Sequence, residues 1–298
     1  FAINNNLMSR NKKPLPLYKD VEIVAVAAEG RAIARVDDLV VFVPFVVPGD
    51  VVDIQVTRKK NKYCEGVAVS INKRSEDRSE PFCKYFGICG GCRWQNLKYS
   101  EQLRWKRQTV VDALRRIGKI DLPEILPIIG SGNTKEFRNK LEFGFSNKRW
   151  LTKEEIAEDK VYDNMNAVGF HVPGAFDKII DIDYCGLMDD WQNKVRNEVR
   201  KYAFDNNLTF FNIRQHEGLL RNMMLRKTTV GETMILMQFH YTDDIEQKKA
   251  MKLLEHLSKK FENTTSLMFV NNLKLNDTFG DLDIQTYAGR DFIYEEMN

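Results

Sequence analysis

Three of the five cysteines in this chain fall within ten residues, in CKYFGICGGC from Cys83 through Cys89 to Cys92. The spacing is C-x5-C-x2-C, and Gly87, Gly90 and Gly91 lie among the thiols. Glycine lets a backbone approach a bulky centre without a Cβ in the way, so this stretch reads as a loop that wraps closely round something. Disulfides are one use for crowded thiols, and they suit short secreted chains with an even cysteine framework. This chain has 298 residues, five cysteines, no signal-type opening and an abundance of Lys and Glu. A reducing cytoplasm is the expected setting.

A four-cysteine zinc site usually pairs two C-x2-C knuckles, and only one is present. A cubane iron-sulfur cluster needs four thiolates, commonly three close in sequence and one remote, because its corners point tetrahedrally. Cys185, in DIDYCGL, is the natural fourth, whereas Cys64 sits in a β-rich run and reads as a small packing residue. On the residues alone a cluster is the favoured reading, with zinc and free thiols as the alternatives.

At 43% apolar, a chain of this length can bury substantial cores and is expected to divide into two or more domains. No apolar run reaches the roughly 18 residues of a membrane helix, so no membrane association is expected. Residues 1–16, FAINNNLMSRNKKPLP, lack a hydrophobic centre and read as a loose basic arm. A net charge of +3 says little about partners, but local clusters say more.

Residues 17–74 read as a small β barrel, because VEIVAVAAEG, RAIARVDDLVVFVPFVV, DVVDIQVTRKKNK and YCEGVAVSINK are β-rich and separated by turn signals. Gly30, Asp37-Asp38 and Pro48-Gly49-Asp50 punctuate them. Arg58, Lys59, Lys60 and Lys62 fall at the last turn, either as a solvated hairpin tip or as contacts to RNA phosphates. Next, YSEQLRWKRQTVVDALRRIGKI predicts an amphipathic helix with Ser100 as N-cap, Gly118 as C-cap, and Leu103, Val110, Val111, Leu114 and Ile117 along one stripe. From about residue 135 the pattern becomes α+β. Leu141, Phe143 and Phe145 alternate, hairpins are expected around Pro173-Gly174 and Gly231, and a helix between Asp243 and Glu262 precedes the strand SLMFVNN. Predominance of hairpins predicts an antiparallel sheet with helices on one face.

In their order along the chain, GRAIARVDDLVVFVPFVVPGD, PFCKYFGICGGCRWQNLKYSEQLRWKRQTV, FRNKLEFGFS, GFHVPGAFDKIIDIDYC and EGLLRNMMLRKT resemble the iron-sulfur-containing RNA (uracil-5)-methyltransferases. Ala32 departs from the glycine usual in that family. The resemblance implies an α+β fold: an OB-like (TRAM) barrel over 17–74 and a central α/β domain over 75–97 and 123–272 with a mainly antiparallel sheet. It further implies that Cys83, Cys89, Cys92 and Cys185 ligate a [4Fe-4S] cluster of structural role, and that Arg138, Asn139 and Lys140 lie near bound RNA. Segments 98–122 and 273–298 are expected to pack on a Rossmann-like catalytic domain largely absent from this chain.

Members of that family attack uracil C6 with a thiolate, methylate C5 from S-adenosylmethionine and remove the C5 proton with a carboxylate. None of the five cysteines lies in a nucleophile motif, and GSGNTK at Gly130 lacks the later glycine of a cofactor loop. The expectation is therefore no catalytic or S-adenosylmethionine-binding residue here, and a chain inactive by itself. The implied partner is RNA, 23S rRNA in the first instance, with a monomer as the full-length form. A tRNA uracil-5 methyltransferase and a non-enzymatic RNA-binding iron-sulfur protein are the alternatives.

Overall fold

In the computed structural model, residues 14–158 and 161–297 are described; most of the expected basic arm, residues 1–13, lies outside them. The described chain forms two units, one comprising the barrel as far as Pro81 with Arg93–Gly130, the other Phe82–Cys92 with the residues from Ser131 onward.

In the first unit β1 (Leu17–Val26), β2 (Ala32–Val36), β3 (Leu39–Val43), β4 (Val51–Lys59) and β5 (Tyr63–Lys73) close a barrel in the order β1-β2-β3-β5-β4. Strand alternation explains its interior: Val52, Ile54 and Val56 of β4 point inward with Ile23, Ala34, Val41, Val43 and Cys64. Cys64 is fully enclosed, which accords with its reading as a packing residue. Closure removes the sheet edges that a five-stranded structure would otherwise expose.

Helix α1 (Tyr99–Asp112) belongs to the same unit and corrects two expectations. Its N-cap is Lys98 and not Ser100, and no side chain caps it. Tertiary bonds fix the start instead: Lys98 N–H donates to Asp77 O at 2.9 Å, and the Gln102 amide donates to Trp94 O at 2.9 Å and Leu97 O at 2.8 Å. Of the expected stripe only Val111 is buried, whereas Val110 and Ile117 are exposed. The anchor is Trp105, which packs with Leu97 and Val47. A π turn over Ala113–Ile117 widens the helix end, with Gly118 N–H donating to Ala113 O at 2.9 Å, and so shifts the phase of the apolar residues.

The second unit is built on a seven-stranded sheet in the order β12-β11-β10-β9-β6-β7-β8. Its strands are β6 (Lys140–Ser146), β7 (Ala167–Val172), β8 (Ala175–Asp181), β9 (Leu220–Lys227), β10 (Thr233–Phe239), β11 (Ser266–Asn271) and β12 (Gln285–Gly289). The helices are the short α2 (Lys153–Ala157), then α3 (Asp190–Asp205) and α4 (Asp244–Lys260). Both expected hairpins form, β7–β8 through Gly174 and β9–β10 through Gly231, each glycine at positive φ. One pairing is parallel, β10 with β11, because α4 carries the chain back across the sheet. Phe143, Phe145, Met223 and Leu225 share one apolar core with Val195 and Val199 of α3 and Leu253 and Leu257 of α4. Both long helices therefore cover the same face.

Candidate metal centre and nucleic-acid interface

All four proposed ligands fall in the second unit: Cys83, Cys89 and Cys92 on the loop Phe82–Cys92, and Cys185 between β8 and α3. Tight turns shape the loop, with Phe86 N–H donating to Cys83 O at 3.0 Å and Cys89 N–H to Tyr85 O at 2.9 Å. Gly90 lies against the β7–β8 turn. A Cβ on it would come within 3.0 Å of His171 O and 3.5 Å of the Pro173 ring, so a side chain there would lever the loop away.

Polar and aromatic contacts join this loop to the Cys185 segment. The Tyr85 hydroxyl donates to Asp183 Oδ1 at 2.8 Å and accepts from the Asp183 N–H at 3.2 Å, while Lys84 Nζ donates to Asp183 Oδ2 at 2.7 Å. Burial would raise the Asp183 carboxyl, but the bonds from Lys84 and Tyr85 outweigh it and hold the group below the usual carboxylate range. Phe82, next to Cys83, lies over Gly186, next to Cys185; a Cβ on Gly186 would meet the ring at 2.8 Å.

Two of the four thiols, Cys89 and Cys185, are shifted by their surroundings. Burial pushes the Cys89 thiol up to about 11; Gly91 N–H, 3.4 Å from its sulfur, opposes this, and Cys92, Cys185 and Cys83 add to the rise. The Cys185 thiol is likewise raised by burial, against the backbone N–H of Leu187, with Cys92 and Cys83 again pushing upward. No cysteine is in a disulfide. Among the described residues no three His, Cys, Asp or Glu side chains are gathered as ligands of a single ion. Four half-buried thiols, three on one glycine-rich loop and one remote, are the donors the second unit offers to a metal centre.

The expected RNA contacts divide between the units. Arg58 and Lys59 end β4, and Lys60 and Lys62 lie in the turn before β5. All four are exposed at a hairpin tip; Arg58 comes no nearer to Glu65 than 3.9 Å, leaving the tip strongly positive. In the second unit Arg138 is exposed, and its backbone N–H donates to Leu187 O at 2.8 Å. Lys140 opens β6 and pairs with Glu142 at 2.7 Å, which tempers its charge. Asn139 is engaged through its carbonyl, which accepts from Lys227 N–H at 2.9 Å.

Sequence reasoning passed over Tyr85, Asp183 and Asn193. Asn193 is only 3% exposed, and it faces Cys185 from α3. A single asparagine in a helix carries no periodic signal. Among the described residues no helix is long and apolar enough to cross a membrane.

Residues 18–69, within the barrel, match the TRAM domain. The chain is 54% identical over 271 residues to a protein of Bacteroides thetaiotaomicron named as an uncharacterized RNA methyltransferase, covering 91% of this chain and 60% of that protein. A protein of Porphyromonas gingivalis with the same name is 45% identical over 282 residues, covering 93% of this chain and 60% of its own length. This chain thus spans about three fifths of the relatives it matches. Among solved structures, the Pyrococcus abyssi tRNA (uracil-54, C5)-methyltransferase in complex with S-adenosyl-L-homocysteine has a similar fold. The TM-score is 0.59 at 22% identity, over 93% of this chain and 57% of that one.

Proposed function

We propose that this chain is the RNA-gripping, cluster-bearing portion of an S-adenosylmethionine-dependent RNA (uracil-5)-methyltransferase acting on 23S rRNA. The observation that carries the proposal is the similarity to RNA methyltransferases over nine tenths of the chain, together with a TRAM-matched barrel that ends in a basic hairpin. Arg58, Lys59, Lys60 and Lys62 neutralise backbone phosphates, with Arg138 and Lys140 as further contacts.

Cys83, Cys89, Cys92 and Cys185 hold a [4Fe-4S] cluster. Its iron supplies the positive charge that four thiolates need, and its role is to brace the loop against the sheet rather than to pass electrons. The thiol inventory leaves no cysteine for attack on uracil C6: four are ligands, and Cys64 is enclosed in the barrel. Methyl transfer and S-adenosylmethionine binding are accordingly assigned to no residue described here.

The test is affinity for a 23S rRNA fragment, with a tRNA transcript in parallel, across a salt series. Log affinity should fall linearly with log salt, and the double variant Lys59→Glu, Lys60→Glu should flatten the slope by roughly 2, since each lost phosphate contact removes about 0.9. An unchanged slope would reduce the hairpin to solvated surface, and tighter binding of the tRNA would overturn the ribosomal assignment.

A further inference from the structure

The segment that carries Cys185 is gripped by one polar stripe of α3. Its residues Asn193, Arg196, Asn197 and Arg200 follow helical spacing. Arg200 donates to Asp181 Oδ2 at 2.6 Å and Arg196 to Asp181 Oδ1 at 2.9 Å. Asn197 Nδ2 donates to Asp183 O at 3.0 Å. Asn193 then holds Cys185 on both sides: its Oδ1 accepts from Cys185 N–H at 2.8 Å, and its Nδ2 donates to Cys185 O at 3.2 Å.

The repeat has a metric reason. Four helical residues rise about 6 Å, and two residues of extended chain span roughly 6.6 Å. A helix running against the strand direction can therefore engage every second residue, here 181, 183 and 185, without losing register. Arg196 anchors the middle of the stripe at 1% side-chain exposure. Burial pulls its guanidinium down to about 10, against the neighbouring Asp181 carboxylate, so it keeps its charge at neutral pH.

We infer that Asn193 is a positioning residue for the metal centre: its amide oxygen holds the Cys185 N–H and its amide nitrogen is shared between Cys185 O and Asp189 O at 3.1 Å, so it ties the Cys185 turn to the start of α3 and fixes the direction of the remote thiol before any metal arrives. The inference rests on the cluster reading above. It concerns a different step, since the three loop thiols are local to one another while the fourth depends on a helix for its placement. Gln192, one residue away and also buried, offers a matched control, because its amide bonds the α3 N-cap at Asp189 and Asn139 O and leaves Cys185 alone.

The experiment compares wild type, Asn193→Ala and Gln192→Ala, each loaded anaerobically with iron and sulfide. Loss of iron to a chelator should be on the order of 10-fold faster in Asn193→Ala than in Gln192→Ala. The visible circular dichroism of the bound centre should also change in the Asn193 variant alone. In the metal-free chain, the Cys185 amide should exchange slowly in wild type and fast in Asn193→Ala. Equal iron loss in the two variants would overturn the inference, and so would an unaltered Cys185 amide. If Asn193→Ala fails to fold, Asn193→Asp, which keeps the acceptor and removes the donor, should still release iron faster than wild type; an unchanged rate would overturn the inference. Failure of wild type to bind iron and sulfide would instead overturn the cluster reading.

Discussion

Asp50 has no solvent exposure, and its carboxylate accepts hydrogen bonds from Val47 N–H at 2.8 Å, Ser75 N–H at 3.0 Å, Arg78 Nε at 2.8 Å and Arg78 Nη2 at 2.7 Å. Removing one member of a buried ion pair strands the other. Asp50→Ala should therefore cost about 3 kcal/mol or more, read as earlier loss of the barrel amide signals in a denaturant titration, and Asp50→Asn should not restore the loss, because its amide keeps one acceptor oxygen and turns an NH2 toward two of the four donors. At this scale the sequence was uneven. Cys64 could be read correctly because a small apolar residue in a β-rich run has one ordinary use. Asp50 could be read only as turn punctuation after Pro48-Gly49, since nothing local indicates that Arg78 will close over it. Asn193 was hidden for the same reason: its partner lies eight residues back across a change of element.

Elements whose burial pattern matches their own period were legible, such as β6 with Leu141, Phe143 and Phe145 inward. Those set by tertiary bonds were not: α1 starts where Asp77 and Gln102 fix it, and the parallel partner of β10 becomes known only once α4 has crossed the sheet. The stretch after β12 shows another such dependence. Glu232, beside the β9–β10 turn, accepts from Tyr294 N–H at 2.7 Å and from the Arg290 guanidinium, and these bonds, that of Tyr294 first, lower its carboxyl below the usual range. A carboxyl depressed in the folded chain stabilises it above the unfolded value, about pH 4.3, and that contribution is lost as pH falls through the lower folded value. The Tyr294 amide should thus stay protected from hydrogen exchange at pH 5 and become labile in more acidic solution, relative to amides of β10. Glu232→Gln should remove the acid dependence, and persistence of that dependence in the variant would assign it to another group.

At the scale of the whole molecule, two statements about chemistry meet. The chain resembles RNA methyltransferases along most of its length, yet its cysteines are committed elsewhere: four to the proposed centre and Cys64 to the barrel interior. Uracil C5 is a weak nucleophile until a thiolate adds at C6, so this chain, loaded with its centre and incubated with labelled S-adenosylmethionine and 23S rRNA, should transfer no label above a protein-free control. Incorporation would show that a ligand cysteine has been misassigned. The unit boundaries have a further consequence, in time rather than in space. Because Phe82–Cys92 belongs with residues from Ser131 onward, the three loop thiols leave the ribosome well before the sheet that shelters them and roughly ninety residues ahead of Cys185. At 5–20 residues per second that interval is about 5–20 s. During it the nascent chain presents an incomplete and oxidisable set of thiols, so the reducing conditions around it bear on how much of each synthesis yields a properly closed loop.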